Sequence, residues 1–164
     1  MDLSKKWEKR SNNEYAFLEN DLMRGVLNFK WSGLQNMATA VIDDKTYEIK
    51  RKGFWKNKIQ IENNNGRVVL EVDVEKWYSS DWIITYEDRK YRLEVRNNPL
   101  TEYVIFEGEQ EIISYGLHTE KNQIVTKIKT QREVPALFDF LLFYLFISVS
   151  TENGADATFI SMIA

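Results

Sequence analysis

The chain has 164 residues, enough for one domain with a substantial core and short for two. Apolar residues make up 43% and charged residues 29%, with 5 Trp, 8 Tyr and 9 Phe, which excludes global disorder. The lack of cysteine excludes disulfides, thiolate metal sites and a cysteine nucleophile, and it fits a reducing, cytoplasmic setting. A formal net charge of −3 gives no global attraction for polyanions, so nucleic acid is not an expected partner and any anionic surface must be met by a local basic patch.

Residues 1–13 carry Lys5, Lys6, Lys9 and Arg10 with no apolar run behind them. They read as a polar arm and lack the h-region of a secretory signal. A single domain is expected over residues 14–164. From Tyr15 to Thr130 short runs of β-branched and aromatic residues alternate with period two. Leu27, Phe29 and Trp31 alternate with Asn28 and Lys30; Val68, Leu70, Val72 and Val74 with Glu71 and Asp73; Tyr91, Leu93 and Val95 with Arg92, Glu94 and Arg96. Such strands bury one face and wet the other. Asp43-Asp44, Asn63-Asn64-Asn65-Gly66, Asp88-Arg89 and Asn97-Asn98-Pro99 fall between the runs and favour turns. Roughly ten or eleven candidate strands result, a density that points to a sandwich or closed barrel.

The pattern changes at Val134-Pro135. Proline suits a helix's first turn, where its missing N–H would have no partner, and Ala136 to Val149 is apolar on every side except for Asp139. A helix without a polar stripe must be surrounded by protein or by lipid. From Ala136 to Val149 it would span roughly 21 Å at about 1.5 Å per residue, short of a hydrocarbon layer of about 30 Å. Asp139 would cost about 2.5–3.5 kcal/mol near a bilayer centre, whereas beside a helix N-terminus it meets the positive end of the dipole. Lys127, Lys129 and Arg132 before the segment, with no Lys or Arg after it, are what a tail anchor would carry. Length and Asp139 favour the other option, a core helix at about residues 135–150.

Many short antiparallel strands followed by one wholly apolar C-terminal helix resemble the tubby-like fold, shared by the tubby C-terminal domain, the LURP-one-related proteins and the phospholipid scramblases. Locally, the stretch Lys45 to Val74 is similar to the LURP-one-related pattern. Its strand Thr46 to Lys52 ends on basic residues, and a Trp-bearing connection leads to the strand Lys58 to Glu62. The resemblance implies a mainly β fold, an antiparallel barrel of roughly ten to twelve strands enclosing the apolar helix. Because some tubby-like domains bind phosphoinositides, it also implies an anionic phospholipid or membrane surface as a partner, with peripheral attachment at the membrane.

The sharpest local feature is the basic run Lys50, Arg51, Lys52, Lys56 and Lys58 with Phe54 and Trp55 between them. If Tyr47, Ile49, Ile59 and Ile61 point inward, then Lys50, Lys52 and Lys58 share the outer face and the two aromatics project at the tip. Lysines beside an anionic bilayer contribute about 1 kcal/mol each, and a Trp or Phe can insert at the interface. The plainer reading is a solvated hairpin whose lysines discourage aggregation, with Glu71, Asp73 and Glu75 close enough to neutralise them.

Other chemistry is sparse. His118 is the lone histidine, a poor start for a metal site or a triad, and Asp43-Asp44 reads as a turn. No phosphate loop, HExxH or GxSxG occurs, so no enzyme, cofactor or metal is expected. Trp77, Tyr78 and Trp82 could line a ligand site or belong to the core. They keep open a lipocalin-like carrier of a small apolar ligand, although an apolar helix would compete for the same lumen. A protein-interaction module through another face is the remaining expectation.

Overall fold

Alternating apolar residues and tight turns build a long meander, seen here in a computed structural model that describes residues 4–32, 35–52, 58–74, 81–97, 101–120, 123–152 and 160–163. Its first half comprises β1 (Lys5–Lys9), β2 (Glu14–Glu19), β3 (Leu22–Ser32), β4 (Gln35–Ile42), β5 (Lys45–Lys52) and β6 (Lys58–Asn63). Its second half comprises β7 (Val68–Val74), β8 (Asp81–Tyr86), β9 (Arg89–Asn97), β10 (Thr101–Glu107), β11 (Gln110–Glu120) and β12 (Gln123–Thr130). Each of these strands pairs antiparallel with the next, giving a nearly closed barrel. The helix α1 (Ala136–Glu152) follows, and then β13 (Ile160–Ile163), which pairs parallel with β12 and comes alongside β1.

Tight turns fix the register at the end of the barrel where α1 begins. Asn20-Asp21, Asp43-Asp44 and Glu87-Asp88 each take positive φ at both residues, between 48° and 68°. That is the type I′ geometry whose twist matches paired strands. The third of these turns lies one residue earlier than the sequence suggests. At the β6–β7 hairpin the Asn63 side chain accepts hydrogen bonds from the amides of Asn65 and Arg67, both at 3.0 Å, and Gly66 supplies a φ of 77°.

The alternation read from the sequence holds over most strands: Leu27, Phe29, Ile49, Ile59, Ile61, Leu70, Val72 and Leu93 are all buried. Val68 departs from it and is 40% exposed. Ile61 pairs with Leu70 but Glu62 pairs with Val68, so Val69 is an extra residue that shifts the register and turns Val68 outward.

Residues 1–13 are not simply a polar arm. Lys5–Lys9 forms β1, paired with β2 from Lys5↔Glu19 to Lys9↔Tyr15, and its alternate residues Lys5 and Trp7 are 1% and 2% exposed. The strand has only two buried positions, too few for apolar periodicity to register in the sequence, and one of them is a lysine.

The helix fills the barrel. Every residue from Leu137 to Ile147 is buried, on all sides of the helix. Its rings meet strands around the wall: Phe140 and Phe143 against Trp7, Phe143 against Tyr15, Tyr144 against Phe29, Phe138 against Tyr91, and Phe146 against Tyr103 and Tyr115. Trp7 stacks on Phe143 at 4.1 Å with the rings 5° from parallel. No helix among the described residues is long and apolar enough to cross a membrane.

Where α1 comes closest to the wall, the wall is small. Ala38 and Ala40 of β4 are fully buried, and a Cβ on Gly25 of β3 would lie 2.8 Å from Phe140 Cζ and overlap the carbonyl oxygen of Val41. Gly25→Ala is therefore expected to destabilise the fold by about 1–3 kcal/mol through overpacking, read as a lower urea midpoint at unchanged slope. Phe143→Ala, which removes the ring under Trp7, should cost about 3–5 kcal/mol in the same measurement.

Candidate functional site

Among the described residues the buried charges are Lys5 and Asp139, and they meet each other. Strand β1 carries Lys5 inward and the first turn of α1 carries Asp139, bringing Lys5 Nζ to 2.9 Å from Asp139 Oδ2 across 134 residues of chain. The other carboxylate oxygen, Oδ1, accepts a 2.7 Å hydrogen bond from the Tyr115 hydroxyl of β11. The same hydroxyl accepts a 3.0 Å bond from Trp7 Nε1. Both carboxylate oxygens, the phenol and the indole are thus satisfied inside an aromatic wall, as buried polar groups must be.

Burial pushes the Asp139 carboxyl above its ordinary value, while the charge and hydrogen bond of Lys5 and the Tyr115 hydroxyl pull it the other way. Burial and then the charge on Asp139 hold the Tyr115 phenol well above its usual range, so it stays a donor across physiological pH. The group is shut off from solvent and ties the first strand and β11 to the helix. Its chemistry is that of a structural clasp: no reactant can reach it.

Sequence reasoning missed this cluster because Lys5 and Trp7 fell in the expected arm and Asp139 was explained by the helix dipole alone. The available signal is Asp139 itself, since a lone acid in an all-round apolar helix needs a hydrogen-bonding or cationic partner from elsewhere in the chain.

The basic hairpin is placed by β5 and β6. Ile49, Ile59 and Ile61 face the core, and Lys50, Lys52 and Lys58 lie on the outer face. Arg51 has the parity of Ile49, pairs with Ile59 and is half-buried, so it does not share that outer face. Lys50 Nζ lies 3.0 Å from Glu62 and 3.5 Å from Glu48, and the bond to Glu62 first, then Glu48, raises its pKa against the opposing effect of desolvation. Lys58 lies 3.8 Å from both Glu71 and Asp73, away from Lys52, which stands opposite it in the register. Lys52 is the exposed cation of the set. Phe54, Trp55 and Lys56 lie outside the described residues, as do Glu75, Trp77 and Tyr78.

His118 pairs with Val125 in the β11–β12 ladder. Trp82 packs half-buried against the core, and Asp43 sits in its turn held by Arg24 at 2.8 and 3.0 Å, which lowers its pKa. No group of three or more potential metal ligands occurs among the described residues. With the lumen occupied, open space lies at the mouth: a cleft of about 570 Å³ between the starts of β5 and β7 and the end of β8, floored by Tyr47, Tyr86 and Leu137.

Lys5→Ala should cost about 3–5 kcal/mol near neutral pH, because it strands a buried carboxylate. The Lys5→Met, Asp139→Leu double variant should recover most of that loss in the same denaturation series. The pH dependence has a definite sign. Since Asp139 is raised in the folded state, its contribution is full below the unfolded carboxyl value of 3.8 and is lost as pH rises through the higher folded value. The stability of wild type relative to Asp139→Asn, which mimics the protonated acid, is expected to fall as pH rises through that window.

Comparison of the chain with protein-family models, with curated proteins and with solved structures finds no match, so neither family nor activity is carried to it from a relative.

Proposed function

We propose that this chain is a non-catalytic binding domain of the tubby-like kind, a filled barrel that meets its partner on the outside, with an anionic phospholipid surface as the partner of the Lys50–Lys58 hairpin. The observation that carries the reading is the outward placement of Lys50, Lys52 and Lys58 on one face of β5 and β6. The carboxylates of Glu48, Glu62, Glu71 and Asp73 offset part of that charge, so binding is weak, salt-sensitive and centred on Lys52. Attachment is peripheral, on the cytoplasmic side suggested by the absence of cysteine. A lipocalin-like carrier gains less support, since an apolar cargo would have to displace α1 from the lumen.

Vesicle sedimentation at low salt is the test. Phosphoinositide-containing vesicles should pellet the protein and neutral vesicles should not. The Lys50→Glu, Lys52→Glu, Lys58→Glu triple variant should bind the anionic vesicles at least about tenfold more weakly, since each lysine lost removes up to about 1 kcal/mol of attraction and each glutamate gained adds repulsion. Equal binding by variant and wild type would remove the hairpin from the account. Failure of the wild type to pellet with anionic vesicles would remove the lipid and leave a protein partner as the surviving expectation.

A further inference from the structure

The cleft at the mouth of the barrel has walls of opposite charge. Lys45 at the start of β5 and Arg67 ahead of β7 stand on one side, and Glu87 and Asp88 of the β8–β9 turn on the other. None of these four side chains forms a salt bridge among the described residues, in contrast to Lys50, Lys58, Arg24 and Arg96 elsewhere on the barrel; Lys45 stands near enough to Asp43 to help lower its pKa, and Glu87 accepts a hydrogen bond from the Tyr86 hydroxyl. Opposite charges without salt-bridge partners on two sides of one concavity can be met together by a ligand that carries both signs.

The floor is aromatic and partly buried. Tyr47, Tyr86 and the buried Leu137 form it, and burial, followed by the charge of Glu87, raises the Tyr86 phenol. The backbone of both turns is set before any ligand arrives: the Asn63 side chain accepts from the Arg67 amide, and the Glu87-Asp88 turn takes φ values of 49° and 62°. Such preorganisation lowers the ordering cost of binding. The β-bulge at Val69 lies at the same rim, and bulges recur beside functional sites. A volume of about 570 Å³ lies within the span of small-molecule sites.

We propose that this cleft is a binding site for a small zwitterion, of the class of α-amino acids with an apolar side chain. The carboxylate is taken by Lys45 and Arg67, the ammonium by Glu87 and Asp88, and the side chain lies over Tyr47, Tyr86 and Leu137. The site is separate from the outer face of the basic hairpin, and it stands whether or not that face binds lipid.

Amide NMR shifts of the full chain, titrated to millimolar ligand, test the proposal with L-phenylalanine, hydrocinnamate, which lacks the ammonium, and phenethylamine, which lacks the carboxylate. L-Phenylalanine is expected to shift amides of residues 63–70 and 85–88. Each single-charge analogue should bind about tenfold more weakly, as should L-phenylalanine to Arg67→Gln or Glu87→Gln, whose spectra elsewhere should remain unchanged. Absence of shifts, shifts confined to other residues, or equal binding by either analogue would overturn it.

Discussion

A helix with no polar side has few places to exist. In water, Leu137 to Ile147 would expose a continuous apolar cylinder, so the rest of the chain is organised to enclose it. An antiparallel meander can do so because each added strand buries one more set of alternate residues against the cylinder and closure leaves few free edges. The enclosure also dictates wall chemistry. Rings line most of the circumference, whereas the side nearest α1 is reduced to Gly25, Ala38 and Ala40.

The Lys5–Asp139 ion pair is the expensive part of this design. A well-packed hydrophobic pair would serve stability as well, so the pair is better understood as fixing which strand lies where. It specifies that β1 docks with Lys5 inward beside the start of α1, and Tyr115 brings β11 to the same point. A one-residue slip of β1 would bury Lys6 and Glu8 and strand Asp139, which gives the barrel seam a single acceptable register.

Legibility in the sequence followed the length of the signal. The period-two runs from β2 to β12 and the all-round apolar helix are long, repeated patterns, and both appear as expected. Strand β1 is five residues long, and its inward face combines a cation with an aromatic ring, a pattern that alternation alone cannot distinguish from a polar tail. Val68 escapes the alternation because a bulge is decided by how β6 and β7 pair, information that neither strand carries by itself. The outer-face placement of Lys50, Lys52 and Lys58 could be read from parity, but their neutralisation could not, since Glu62, Glu71 and Asp73 reach them only through cross-strand register. The opposed charges of the mouth were equally hidden, as Lys45, Arg67, Glu87 and Asp88 belong to separate turns that only barrel closure brings together.

Everything described depends on α1 being enclosed by the strands. Residue-resolved hydrogen exchange addresses this most directly, because an enclosed helix can expose its amides only when the barrel itself opens. The amides of residues 140–147 should exchange with the free energy of global unfolding, the same value as those of the central strands. Exchange of those amides through a low-energy local opening, comparable to that of the hairpin turns, would show a helix lying on the barrel instead of within it and would contradict the account.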